Sequence, residues 1–200
     1  MTSQNRILNA FMTLLGQREY RHITIQELID EAGVSRSTFY RHFSAKLNIL
    51  THLHQRRFAS LLSELNSPED WQHSKAPPSL VAMFARFEGQ RSMHRSLGDT
   101  LGADGEPALK QIEQALIRHL SERLDVAFPD VQWQVPQRAV ALSIAGLYQT
   151  HLSHWRQGQL TGSAEEIAGL VHRHSRVLVQ DAVALSRPQP DNPFTFPLNR

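Results

Sequence analysis

Gly33-Val34-Ser35-Arg36-Ser37-Thr38-Phe39-Tyr40-Arg41-His42-Phe43 spells a tight turn followed by a short helix, and its reading decides the fold. Just upstream, Thr24-Ile25-Gln26-Glu27 has the Ser/Thr-x-x-Glu form of a capping box, flanked by Ile23 and Leu28 where a hydrophobic staple would sit. A helix is expected to begin at Thr24, run through Leu28, Ile29 and Ala32, and close at Gly33, the residue type that takes the left-handed conformation most readily. Ser35 offers a second N-cap hydroxyl two residues later. Two short helices joined by so brief a glycine turn form a helix-turn-helix.

In the second helix Phe39 and Phe43 lie four apart and share one face, which suits packing into a small core. The outer face is then Arg36, Ser37, Thr38, Tyr40, Arg41 and His42. Arg reads guanine edges bidentately, Ser and Thr donate to bases or phosphates, and Tyr and His reach phosphate oxygens from the helix flank. A merely solvated helix face has no need of two caps in immediate succession. Nor would it favour hydroxyls and cations over acids.

These residues resemble the tetracycline-repressor (TetR) family of bacterial transcription regulators. Thr24, Ile29, Ala32, Gly33, Val34, Ser35, Thr38, Phe39, Tyr40, His42, Phe43 and Lys46 stand where that family's N-terminal signature has them, over roughly the first quarter of the chain. Leu47 replaces the usual acidic residue after the lysine, and Asp30 stands where many members carry Ala. The resemblance implies an all-α protein, with an N-terminal three-helix helix-turn-helix head joined to a C-terminal helical body for ligand binding and dimerisation. It implies that the homodimer binds double-stranded DNA at an inverted repeat, most often as a repressor, and responds to a small-molecule effector. The expected DNA-binding set is Thr24, Ser35, Arg36, Ser37, Thr38, Tyr40, Arg41, His42 and Lys46, with Thr24, Tyr40, His42 and Lys46 against phosphates.

Charge distribution agrees with this reading. Residues 1–57 hold eight Lys/Arg against four acids, whereas the remainder holds thirteen against fifteen. The attraction for phosphate is thus concentrated at the end that carries the motif. The chain has 200 residues, a hydrophobic share of 40%, enough for an ordinary core, and no cysteine, which excludes disulfides and zinc fingers. No apolar run has the length of a membrane span, so a cytoplasmic protein is expected.

Beyond the head, apolar residues recur at three and four, which predicts helices throughout. The expected division is a head over 1–46, a body over 47–186 and a Pro-rich tail over 187–200. Ser44 is expected to cap a long fourth helix running to Leu65, a lever between head and body. Ser67-Pro68 reads as a turn. A fifth helix carries Leu80 to Met93, another runs from about Glu106 to Val126, and Ser163-x-x-Glu166 is a further capping box before the last helix. From about Pro136 to Gln157 the apolar arc is wide, so this helix must be covered on two sides. Val140, Ile144, Leu147, His151 and Trp155, with Ile167, Leu170, Val171, His174 and Leu178 on the last helix, are the candidate dimer interface, two helices per copy forming a four-helix bundle.

Met83, Phe84, Phe87, Met93, Trp133, Leu142 and Tyr148 are candidates to line a cavity for an apolar effector, since Met and aromatic side chains adapt to such ligands; plain core is the competing reading of each. The close histidine pairs lack carboxylate partners at ligating spacing, so no metal and no cofactor is expected. No phosphate loop, nucleophile elbow or paired-carboxylate constellation appears, which disfavours an enzyme. The function expected is a sequence-specific DNA-binding regulator relieved by a small, mainly apolar ligand. The alternative is a helical dimer of the same type acting without an effector, on DNA or on a protein.

Overall fold

A computed structural model describes residues 1–88 and 101–183. Met93, Leu185 and the tail over 187–200 lie outside the described residues. Within them the chain is helical and no strand occurs. The helices are α1 (Ser3–Gln17), α2 (Ile25–Ala32), α3 (Arg36–His42), α4 (Lys46–Leu61), α5 (Pro68–Gln72), α6 (Pro78–Glu88), α7 (Gly105–Ala127), α8 (Gln137–Arg156) and α9 (Ala164–Val183). Short 3-10 turns at Tyr20–His22 and Gly102–Asp104 precede α2 and α7.

Local chemistry sets most of these boundaries. Thr2 caps α1 by accepting from the Asn5 amide, and Ser163 with Glu166 forms the capping box that opens α9. Three expectations need correction. Ser44 does not cap α4: its hydroxyl donates to the Asn48 side chain, and Ala45 occupies the cap without a side-chain bond. Ser67-Pro68 is not a simple turn but the start of α5, with Ser67 and Asp70 as a capping box and Pro68 in the first turn, where its missing N–H costs no helical bond. The lever is also shorter than expected, because α4 stops at Leu61 and Leu65 lies beyond it.

Two apolar cores result. The head core gathers Ile7, Leu8, Phe11 and Leu14 of α1, Leu28 and Ile29 of α2, and Phe39 and Phe43. It continues through Ile49, Leu50 and Leu53 of α4 and takes in Leu101, Ala108 and Ile112. Packing therefore carries the head past residue 46, well into α4. The body core is built on α4's last turn, α5, α6, α7, α8 and α9, around Trp71, Phe84, Leu120, Leu124, Ile144 and Trp155. Phe58 packs against both cores, so it marks the point on α4 where one ends and the other begins.

The burial pattern corrects half of the expected dimer interface. Val140, Ile144, Trp155, Ile167 and Val171 are at most 4% exposed within the single chain, so they form its own core and have no surface for a partner. The wide apolar arc of α8 is accounted for by α7 on one flank and α9 on the other. Leu147, His151, Leu170, His174 and Leu178 do keep accessible surface, and Val177, 54% exposed, stands beside them. The rings of His151 and His174 meet at 5.8 Å, which joins the accessible faces of α8 and α9 at that point.

The expected cavity lining is corrected as well. Leu142 is 53% exposed and points away from the middle of the body, while Phe84 and Tyr148 are filled into the core. Met83, Phe87 and Trp133 are half-buried at its edge. No helix among the described residues is long and apolar enough to cross a membrane.

Candidate nucleic-acid interface

The interface rests on a turn whose conformation is over-determined. Thr24 has extended backbone, and its hydroxyl accepts from the Glu27 amide at 3.2 Å. Glu27 returns the bond by accepting from the Thr24 amide at 2.8 Å, and Arg18 pairs with the same carboxylate. These Thr24 bonds, aided by Arg18, hold the Glu27 carboxyl below the usual carboxylate range. At the other end of α2, Gly33 has φ 57° and lets its amide and that of Val34 return to carbonyls of the last turn. Arg6 of α1 donates to the Gly33 carbonyl at 3.1 Å and ties the turn to the first helix.

Ser35 then starts α3 by accepting from the Thr38 amide at 3.1 Å. Its hydroxyl also lies 3.0 Å from Ser37 and 2.9 Å from Thr38, so three hydroxyls form one cluster at the head of the helix. Phe39 and Phe43 point into the core, which turns the opposite face of α3 outward. Arg36, Ser37, Tyr40, Arg41 and His42 are exposed there, with Thr38 half-buried beside them. The Tyr40 ring stands edge-on to Phe39 at 5.4 Å, its hydroxyl end free to reach outward. Thr24, on the neighbouring helix end, is exposed too.

Lys46 differs from the rest of the set. Its ammonium donates to the Tyr20 carbonyl at 2.7 Å and the Ile23 carbonyl at 2.8 Å, and sits 4.1 Å over the Tyr20 ring. Burial pushes its pKa down, partly offset by the charges of Asp104 and Glu27. Two of its three donors are therefore turned into the head, leaving one for a phosphate.

Sequence reasoning missed Gln26. Exposed on α2, it accepts from the Arg36 guanidinium at 2.8 Å while its amide donates to Asp30 at 2.9 Å. This chain of three side chains crosses the turn and orients the arginine expected to read bases. Nothing in the sequence spacing marks it, because Gln26 and Arg36 meet only through the angle between α2 and α3.

A sequence model of the bacterial regulatory proteins of the tetR family matches residues 7–53, the segment that holds α1, the capped turn and the first half of α4. The N-terminal segment of the chain thus matches the DNA-binding segment of TetR-family regulators. Among curated relatives of this chain, an uncharacterised HTH-type transcriptional regulator of Bacillus subtilis is 24% identical over 96 residues, 46% of this chain and 25% of the relative. The HTH-type dhaKLM operon transcriptional activator DhaS of Lactococcus lactis is 27% identical over 71 residues, 36% of this chain and 38% of the relative. The matches thus span well under half the length of these relatives.

Three solved TetR-type proteins share the fold over nearly the whole chain. A TetR-family regulator from Syntrophomonas wolfei aligns with a TM-score of 0.59 and 21% identity, covering 94% of this chain and 98% of the other. The repressor AlkX from Dietzia, implicated in biodegradation of n-alkanes, gives 0.58 and 16%, covering 92% and 99%. The repressor FadR of Thermus thermophilus, in complex with lauroyl-CoA, gives 0.55 and 20%, covering 94% and 100%. At such identities the likeness is one of architecture.

Proposed function

We propose that this chain acts as a homodimeric repressor that places two copies of α3 in successive major grooves of an inverted-repeat operator. The observation that carries the reading is the outward face of α3: Arg36, Ser37, Tyr40, Arg41 and His42 stand exposed on a helix fixed at its start by Ser35 and at its base by Phe39 and Phe43. Arg36, steered by Gln26, reads base edges; Thr24, Tyr40, His42 and the remaining donor of Lys46 take phosphates. Leu147, His151, Leu170, His174, Val177 and Leu178 form the dimer contact. The head is residues 1 to the middle of α4, and the described residues beyond it form the body.

The effector is a small, mainly apolar molecule that loosens the hold on DNA. Support comes from the acyl-CoA ligand of the T. thermophilus repressor and from the half-buried Met83, Phe87 and Trp133 at the edge of the body core. By linkage, such a ligand must bind better to the state that fits DNA worse, and DNA must weaken the ligand by the same factor. The close filling of Phe84 and Tyr148 favours a second reading, an effector-independent regulator.

The test starts with selection of duplexes from a random pool by the full chain, with affinity then measured against salt. An inverted repeat bound with a steeply falling salt dependence supports the proposal; equal affinity for all duplexes defeats it. Acyl-CoA thioesters of graded chain length then separate the two readings. Release of the operator favours the first, and thermal midpoints unmoved by every thioester favour the second.

A further inference from the structure

Two polar contacts dock the head on the start of α7: the Thr51 hydroxyl donates to the Gln111 side chain at 2.9 Å, and a second bond reaches further along the sequence. Tyr20, 3% exposed at the base of the head, donates its hydroxyl to Asp104 at 2.6 Å, across 84 positions of sequence. Asp104 ends the 3-10 turn that leads into α7, an element of the body. Around it Leu101, Ala108 and Ile112 enter the head core, and Gly102, at φ 62°, brings its backbone to the flank of Arg21. On the head side, the Tyr20 ring and carbonyl form most of the cradle that holds the Lys46 ammonium. A buried hydroxyl needs a partner, and here the partner is a carboxylate carried by a different part of the molecule.

We propose that Asp104 is a positioning residue for operator binding: through the Tyr20 hydroxyl it fixes the angle of the head on the body. The assignment rests on the DNA-binding reading above and adds to it a residue remote from α3. A dimer that reads two half-sites needs both heads at a fixed spacing, so any freedom at this contact weakens cognate binding. Binding to DNA of arbitrary sequence depends on charge alone and is indifferent to that spacing. The contact also sits at the start of α7, whose partners α4 and α8 are the lever and the body's centre.

The experiment uses the full chain and the duplex it selects, beside a scrambled duplex of the same length. Tyr20→Phe removes the hydroxyl and keeps the ring under Lys46, Asp104→Ala removes the acceptor, and Asp104→Asn keeps an uncharged one. Tyr20→Phe and Asp104→Ala should each lose about tenfold on the selected duplex, the scale of one charge-assisted hydrogen bond, with little change on the scrambled one. The double variant should be no weaker than the weaker single, because both remove the same bond. Asp104→Asn should fall between.

Equal losses on both duplexes, losses that multiply in the double variant, or an unchanged ratio of selected to scrambled affinity would each overturn the assignment. If Asp104→Ala does not fold, Asp104→Asn decides through that ratio alone. An unmodified chain that selects no sequence removes the DNA reading and this inference with it; selection retained in every variant removes only the inference.

Discussion

Head and body of this protein are specified by different physics. In the head, the decisive interactions span three or four residues: Thr24 with Glu27, Ser35 with Thr38, and the left-handed Gly33. Each is a side chain or a conformation that answers an orphaned backbone group at a helix end, so the shape follows from the order of residues. In the body, α8 carries apolar side chains around most of its circumference, and neighbours choose which of them go inside. Ala141, Ile144, Ala145 and Tyr148 are enclosed, while Leu142 one position along is 53% exposed. A surface set by local hydrogen bonds can be read directly, whereas one left over from packing cannot.

The strongest attempt to break that contrast is a charge placed at Ile144 and, separately, at Leu178. Ile144→Asp buries an unpaired carboxylate at a position with no exposure, so the chain should lose about 3–5 kcal/mol and melt far lower, without a folded monomer. Leu178→Asp, at a half-buried site on the proposed dimer patch, should instead give folded monomers by light scattering and circular dichroism. Similar behaviour of the two variants would mean that burial within one chain does not separate core from interface here.

Within the head, Arg36→Ala should cost about 1–3 kcal/mol on the selected duplex and relax choice at one base position. Lys46→Ala should weaken all duplexes alike and also lower the thermal midpoint, since two of its bonds hold the Tyr20–Ile23 segment. Competition binding with a set of singly substituted duplexes distinguishes them. A Lys46 variant with unchanged melting would return that residue to a purely phosphate-facing role.

A smaller change probes the turn. Gly33→Ala meets no atom closer than 3.9 Å, so its cost of roughly 1–2 kcal/mol comes from backbone conformation alone. Amide exchange should accelerate in α2 and α3 and stay unaltered in α8 and α9. Equal acceleration in all four would show that the head does not respond as a separate unit.

The smallest expected effect is a dependence on pH in the body. His172 is buried and donates from Nε2 to the His73 carbonyl at 2.9 Å. Burial of the ring, opposed by that bond, holds its pKa below 6.5. The unfolded chain therefore takes the proton more readily, so this contribution is complete above the unfolded value and declines as pH falls below it. His54 shifts the same way for the same reason, through burial. The thermal midpoint should drop from about pH 7.5 to about pH 5.5, and His172→Gln should shrink the drop without abolishing it, leaving the shares of His54 and of His52, which burial shifts the same way. A drop of the same size in the variant would assign the effect to other groups.

Taken by itself, the sequence determined that this protein is helical, where the helix-turn-helix lies, and which residues of α3 face outward. Those properties depend on caps, a glycine and a pair of phenylalanines whose consequences are local. The Ser67 cap was equally local, yet Pro68 hid it, because Ser-Pro also opens turns. Tertiary structure alone decided that Val140, Ile144 and Trp155 are core, that Gln26 steers Arg36, and that Asp104 reaches Tyr20. Each of these depends on the angle and distance between elements far apart in the chain. A periodic pattern shows that a face is apolar, and only the packed neighbours show what covers it.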